Sequence, residues 1–420
     1  MKREAVVALL NGLNVASAFA AQLLIYHALG ISRQTDTYFA SVAIPQLLLT
    51  VVAGTASGVL VPMLARLPQA QQEQLTGSLI TTILGFVALP LALALLTAPV
   101  WVGALFPGFT GQAAELAVEL VRVQLLATPL MVAGALLTAQ HQARGAFATV
   151  EAINLGLSML SLLAMALLLP RFGVLAAAWV LPVRYALQIV SLGRGVRGRD
   201  LAPRLGQLLE FWRRSRVLLA GSAYFKADLL VDRYLLSNAS AGALSLFSLA
   251  QTLLAAIAGV IGQAWGNTAV PRLTAAHAAQ DTAAFIALYR ARLLRISAIA
   301  VMAMGSAMVL VPPLVALVAS QRPETDTGAS LGLLILALGG VPIFGSLGAL
   351  VSGCFYAMGD TSTPTLVSIV TFTLFIIGKL IVFDSYGLLA FCILTSVYYA
   401  VNALVLGAVL ERRLAHRKSS

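Results

Sequence analysis

Charge is scarce in this sequence: only 10% of its 420 residues are Asp, Glu, Lys or Arg, 60% are hydrophobic, and the mean hydropathy is +0.92. Those values exclude an ordinary soluble domain and demand many apolar spans. Cysteine is nearly missing as well. Cys354 and Cys392 both lie in apolar stretches and are too few for a disulfide framework or a thiolate metal site. The four histidines show no metal-ligand spacing. No Gly-rich phosphate loop with Lys occurs and no Ser/His/Asp set lies on loops, so the chain does not read as an enzyme or as a user of ATP or any cofactor. Acidic residues number 16 against 27 basic ones, a net charge of +11. Lys2 and Arg3 precede a long apolar run, as in a signal peptide, but no A-x-A-like cleavage site follows. We read that run as the first span.

A membrane-spanning helix needs about 20 mostly apolar residues. Twelve such segments are marked out, at approximately 5–29, 38–65, 76–105, 113–141, 148–169, 173–193, 216–236, 241–271, 289–318, 329–357, 363–383 and 386–410. Helix is the expected state throughout, because open strands leave backbone groups unsatisfied in lipid. The expectation is an all-α polytopic membrane protein with two six-helix lobes, 1–193 and 216–410, a basic linker at 194–215 and a basic tail at 411–420.

Lysine and arginine orient the spans. With both termini in the cytoplasm, 19 of the 27 fall in inner segments, three (Arg33, Arg171, Arg322) in outer loops and five within spans. That asymmetry follows the positive-inside rule and turns the net charge into a topology signal and an attraction to anionic lipid, not to nucleic acid. Two basic stretches, "RLGQLLEFWRRSR" and "DTAAFIALYRARLLR", are amphipathic and are expected to lie flat on the cytoplasmic leaflet. The halves look alike: "VPMLARL" and "VPRLTAA" lie 209 residues apart, and "LLTAQHQARGAF" and "LVSGCFYAMGDT" lie 214 apart. Even-numbered parallel repeats imply a pseudo-two-fold along the membrane normal.

The charges inside spans are the candidate chemistry, since each is costly in hydrocarbon unless paired or wetted. "AYFKADLLVDRYLL" holds Lys226, Asp228, Asp232 and Arg233. Successive helical residues rotate by about 100°, which places the two acids on one face and the two bases nearly opposite, so the acids need partners elsewhere in the bundle. Lys226 lies about 15 Å into its span, near the midplane. It either lines a wet cavity or belongs to a buried ion pair. In "AAELAVELVRVQLL", Glu119 and Arg122 are spaced to pair at i, i+3, unless Arg122 meets an anionic head group. Arg184 is a similar cation, although Pro182 beside it leaves a free carbonyl that it could satisfy locally. Asp36 and Asp360 precede apolar spans in helix N-cap positions.

"HALGISRQTDTYFASVAIPQLLLTVVAGTASGVLVPMLARL", "LTAQHQARGAFATVEAINL", "VDRYLL" and "FYAMGDTSTPTLVSIV" together resemble the MurJ/MviN family of lipid II flippases, within the wider group of multidrug, oligosaccharidyl-lipid and polysaccharide exporters. The likeness runs from the first span to the last. It is most specific at the turn from Gly30 to Asp36 with Pro45 after it, and at "FYAMGDTSTP", which holds Gly359, Asp360 and Pro364; Gln46 and Asn154 fall in matching segments. The family usually has fourteen helices, and cavity arginines in helices 1, 2 and 8 that meet the pyrophosphate. Matching the motifs puts Ala21, Leu49 and Thr252 at those places. In relatives a sodium ion is held between helices 7 and 11, where Lys379 stands here. The resemblance therefore implies that the Lys379 ammonium replaces the cation, pairing with Asp232 and with Asp228, unless it snorkels to the outer interface.

The functional expectation is a flippase that moves a polyprenyl-diphosphate-linked oligosaccharide or peptidoglycan precursor across the cell inner membrane by alternating access, as a monomer. Lys226, Arg122, Arg184 and Gln46 would contact substrate; Asp228, Asp232, Arg233, Lys379 and Glu119 would serve coupling. The alternative is a multidrug or cation antiporter, for which Asp228 and Asp232 would be the midplane carboxylates. A lipid-linked glycosyltransferase would need a substantial extramembrane loop with catalytic acids, which the spacing of the spans does not leave.

Overall fold

The computed structural model describes residues 2–193, 205–261, 269–319 and 327–419. The basic stretch 194–204 and Arg322 lie outside the described residues. Among those described, every regular element is helical. The first are α1 (Lys2–Leu29), α2 (Arg33–Thr55), α3 (Val61–Leu64), α4 (Gln69–Leu96), α5 (Ala98–Leu105), α6 (Gln112–Leu125) and α7 (Ala127–Ala143). Then come α8 (Phe147–Phe172), α9 (Val174–Leu192), α10 (Leu205–Lys226), α11 (Asp228–Ser237) and α12 (Ala243–Ile261). The chain closes with α13 (Ala269–Ala278), α14 (Thr282–Ala319), α15 (Thr327–Ala337), α16 (Gly340–Ala357) and α17 (Ser362–Ser419).

Nine of the described helical stretches are long and apolar enough to cross a membrane. One of them, Ser362–Ala415, holds two expected spans, because Gly387 at φ 72° interrupts its helix. The expected seventh span is absent from the nine, as its charges lower its hydropathy, and Ala243–Gly259 is shorter. Several spans are interrupted within the apolar run. Between α2 and α3 the chain widens into a π turn over Ala56–Leu60, just before Pro62, which has no N–H to continue the ladder.

The chain forms two compact units, Met1–Ser245 and Leu246–Ser420. In the first, α2 packs on α6, α7, α10 and α11, while α8 packs on α1 and α9. In the second, α16 packs on α13, α14 and α17. The two amphipathic stretches do not lie flat as separate surface helices. Residues 205–215 are the start of α10, and Phe211 is buried with Leu64, Leu75 and Leu79 in the first unit's core. Residues 282–295 open α14, whose 38 residues extend about 57 Å, well beyond a hydrocarbon core of about 30 Å. Phe285, Ile286 and Tyr289 pack in the second unit's core with Leu350 and Phe355.

Glycine turns recur at similar spacings along the chain. Glycines with positive φ occur at Gly145 and Gly359 and again at Gly173 and Gly387, each pair 214 residues apart, and at Gly30 and Gly242, 212 apart. Gly145 and Gly359 end their helices in the same way: Ala146 N–H donates to the His141 carbonyl, and Asp360 N–H to the Phe355 carbonyl. That is the six-to-one closure that favours a left-handed glycine.

Candidate functional site

Three helices of the first unit bring polar side chains together inside apolar spans. Glu151, Asn154 and Ser158 recur at i, i+3 and i+7 along α8, which places them on one stripe. Arg184 and Gln188 are one turn apart on α9, and Asn14 comes from α1. Arg184 Nη2 donates to Ser158 Oγ at 3.0 Å, and Ser158 Oγ lies 3.5 Å from Asn14 Oδ1. Asn14 Nδ2 donates in turn to Glu151 Oε2 at 2.9 Å. One turn along, Gln188 Nε2 donates to Asn154 Oδ1 at 3.1 Å. Gly134 on α7 makes room for that amide, since a Cβ there would lie 2.8 Å from Gln188 Oε1. The line joins one cation to one carboxylate through neutral groups, an arrangement suited to holding a polar or anionic ligand without burying a bare charge.

The helix 7 charges lie on both sides of Ala227. Ala227, at φ −58° and ψ −26°, joins α10 to α11 with helical backbone, and Asp228, Asp232 and Arg233 all lie on α11. Lys226 ends α10 and is exposed; Asp232 and Arg233 are buried, at 1% and 5% exposure. Arg233 lies in the fields of Asp232, Asp228 and Asp36. Lys379 in the second unit is fully buried, its Nζ 4.3 Å from the Phe375 ring centroid and 4.8 Å from that of Phe391, so it does not snorkel to an interface.

Other expected contacts are redistributed. Arg122 and Glu119 form no ion pair among the described residues; Arg122 Nε donates instead to the Leu95 carbonyl, 3.1 Å away at the end of α4, a helix C-terminus that attracts a cation. Gln46 is exposed on α2, and Pro45 beside it is buried.

A family model described as lipid II flippase MurJ matches residues 25–420. The chain belongs to the MurJ family. A lipid II flippase MurJ of Burkholderia cenocepacia is 26% identical over 298 residues, 66% of this chain and 57% of that protein. The match thus spans less than two thirds of that relative's length. Among solved structures, a lipid II flippase MurJ in an inward closed conformation aligns with a TM-score of 0.85 at 14% identity, over 96% of this chain and 87% of that one. An inward-facing multidrug resistance transporter of the MATE family aligns with a TM-score of 0.80 at 15% identity, over 96% and 95%. At these identities both show a shared fold.

The segments that most resemble the MurJ family do structural work here. Ser32, not Asp36, caps α2, in a reciprocal pair with Thr35: Ser32 N–H donates to Thr35 Oγ1 at 2.9 Å, and Thr35 N–H to Ser32 Oγ. This starts the helix early and leaves Asp36 one turn inside it. Asp36 is wholly buried and accepts from Gly242 N–H at 2.6 Å and from the backbone N–H and hydroxyl of Ser245, each at 2.8 Å. It therefore caps α12, some two hundred residues away. Asp360 caps its own helix, α17, accepting from Thr363 N–H at 2.9 Å and Thr363 Oγ1 at 2.6 Å, with Arg413 on its other side. These contacts hold its carboxyl down at about 2. Pro364 follows in the first turn, where a missing N–H leaves no bond unmade.

The sequence reading missed Asn14, Glu151, Ser158 and Gln188. Each is a single polar residue in an apolar run, and that was the available signal, but no spacing on one helix joins residues of three.

Proposed function

We propose that this chain is a flippase that carries a polyprenyl-diphosphate-linked saccharide from the inner to the outer leaflet of the cytoplasmic membrane by alternating access, without ATP. Membership of the MurJ family supports the reading. The observation that carries it furthest is the Arg184–Ser158–Asn14–Glu151 line, which sets a cation at mid-span in the first unit. Arg184 is the eleventh of the 19 residues of α9, about 15 Å from its start. Phosphate recognition favours such cations, and the positions where the family carries cavity arginines hold Ala21, Leu49 and Thr252. Lys226 and Arg184 take the head group; Arg122, spent on a carbonyl, and Gln46 take lesser parts. Asp228, Asp232, Arg233, Lys379 and Glu119 serve coupling. Twelve crossings in two six-helix lobes, cytoplasmic termini, contact with anionic lipid and a monomeric state complete the proposal.

Purified protein in liposomes, given a fluorescent polyprenyl-diphosphate-linked saccharide, should expose it to an impermeant quencher at a protein-dependent rate. Failure to move that lipid, together with exchange of organic cations for protons, would replace the reading with that of an antiporter.

A further inference from the structure

A groove of about 580 Å³ opens between α8 and α9, within the size range of small-molecule sites. Its walls are apolar side chains, among them Leu157, Leu160, Ala164, Leu168, Trp179 and Val183, and Arg184 stands among them. The two helices form a hairpin through Gly173. The groove therefore runs from Phe172 and Leu175 at that turn to Leu187, about 18 Å along α9, with Arg184 one turn short of that end. Among the described residues Arg184 has one hydrogen bond, to the neutral hydroxyl of Ser158, and no carboxylate within ion-pair distance. A guanidinium at this depth, on the edge of an apolar chamber, is complementary to an anion attached to a hydrocarbon chain.

We propose that this groove holds the isoprenoid chain of a polyprenyl phosphate, with Arg184 against its phosphate; the assignment rests on the lipid-linked reading above and adds to it a site for the tail. Depth selects this occupant over a resident phospholipid. The phosphate of a resident phospholipid stays at the membrane surface, about 15 Å from the bilayer centre, whereas a lipid in transit must bring its phosphate past mid-span. The shape agrees: Arg184 stands near one end of the groove, one turn from Leu187, and the apolar walls continue from it toward the hairpin turn, as a charged head with a trailing chain requires.

Native mass spectrometry of the purified protein with equal concentrations of polyprenyl phosphate and phosphatidylglycerol tests it. The wild type should retain polyprenyl phosphate about tenfold better, the factor expected of one charge-assisted contact. Ala164→Trp, which fills the groove, and Arg184→Gln should each remove that preference, and Arg184→Lys should restore part of it. Equal retention of both lipids by the wild type, or an undiminished preference in Ala164→Trp and Arg184→Gln, would overturn the site. Melting temperatures report folding. If Ala164→Trp fails to fold, Val183→Trp on the half-exposed wall takes its place. Translocation assays on the same proteins separate the two claims. Transport by the wild type with the lipid preference intact in every groove variant rejects the groove alone. Loss of the preference in the variants, with no saccharide transport by the wild type, rejects the transport reading and keeps the site.

Discussion

Replacing Asp36 with alanine should loosen the first unit far more than replacing an exposed helix cap. The Asp36 carboxylate is buried and satisfies two backbone donors, Gly242 N–H and Ser245 N–H; the Ser245 hydroxyl, its third donor, also has the Gly242 carbonyl at 2.9 Å. Alanine strands the two amides, each at about 1–3 kcal/mol, and the Ser245 hydroxyl turns to its second partner. The sum of about 2–6 kcal/mol, reduced for relaxation, is about 2–4 kcal/mol. A kilocalorie shifts the midpoint of a domain of this size by about 2–4 °C, so Asp36→Ala should melt about 10 °C lower. Asp36→Asn keeps one acceptor and should lose about half as much. Asp281 supplies the comparison: it is exposed and caps α14 through Ala284 N–H at 2.8 Å, and its alanine variant should cost about 1 kcal/mol. Intrinsic fluorescence melts of the purified proteins in one detergent read all three. If Asp36→Ala melts within about 2 °C of the wild type, or no lower than Asp281→Ala, the buried cap does not hold the unit together as argued.

Lys226→Ala should abolish complementation of a transport-deficient strain while leaving expression and melting temperature unchanged, because the side chain is exposed and ends a helix; full transport by the variant would remove the head-group role. Asp360→Asn should lower stability at neutral pH. The folded carboxyl is held at about 2, below its unfolded value near 4, so the cap's contribution is present above the unfolded value and is lost as pH falls through about 2. The gap between wild type and variant in acid titrations of the melting point should therefore persist to about pH 4 and close below it. Gly242→Ala should destabilise by about 1–3 kcal/mol, since φ is 90° and the added Cβ would lie 2.4 Å from Ile31 Cγ2. A variant that melts with the wild type would show that the turn yields.

Where the determinants are local, the amino-acid order decides the outcome alone. Long apolar runs must be helical in lipid, Gly145 and Gly359 close their helices through partners five residues back, and Asp360 caps the helix three residues ahead of it. The MurJ-like segments are legible for the same reason, as short contiguous patterns. Other outcomes needed the fold. The amphipathic starts of α10 and α14 carry a pattern that fits a membrane surface or a protein core equally well, and only the position of Leu64 or Leu350 chooses between them. Asn14 meets Glu151 across 137 residues and Asp36 meets Gly242 across 206. Neither partner is specified by periodicity, because a buried polar group needs only some complementary group nearby, and which one arrives depends on how α1, α2, α8 and α9 pack.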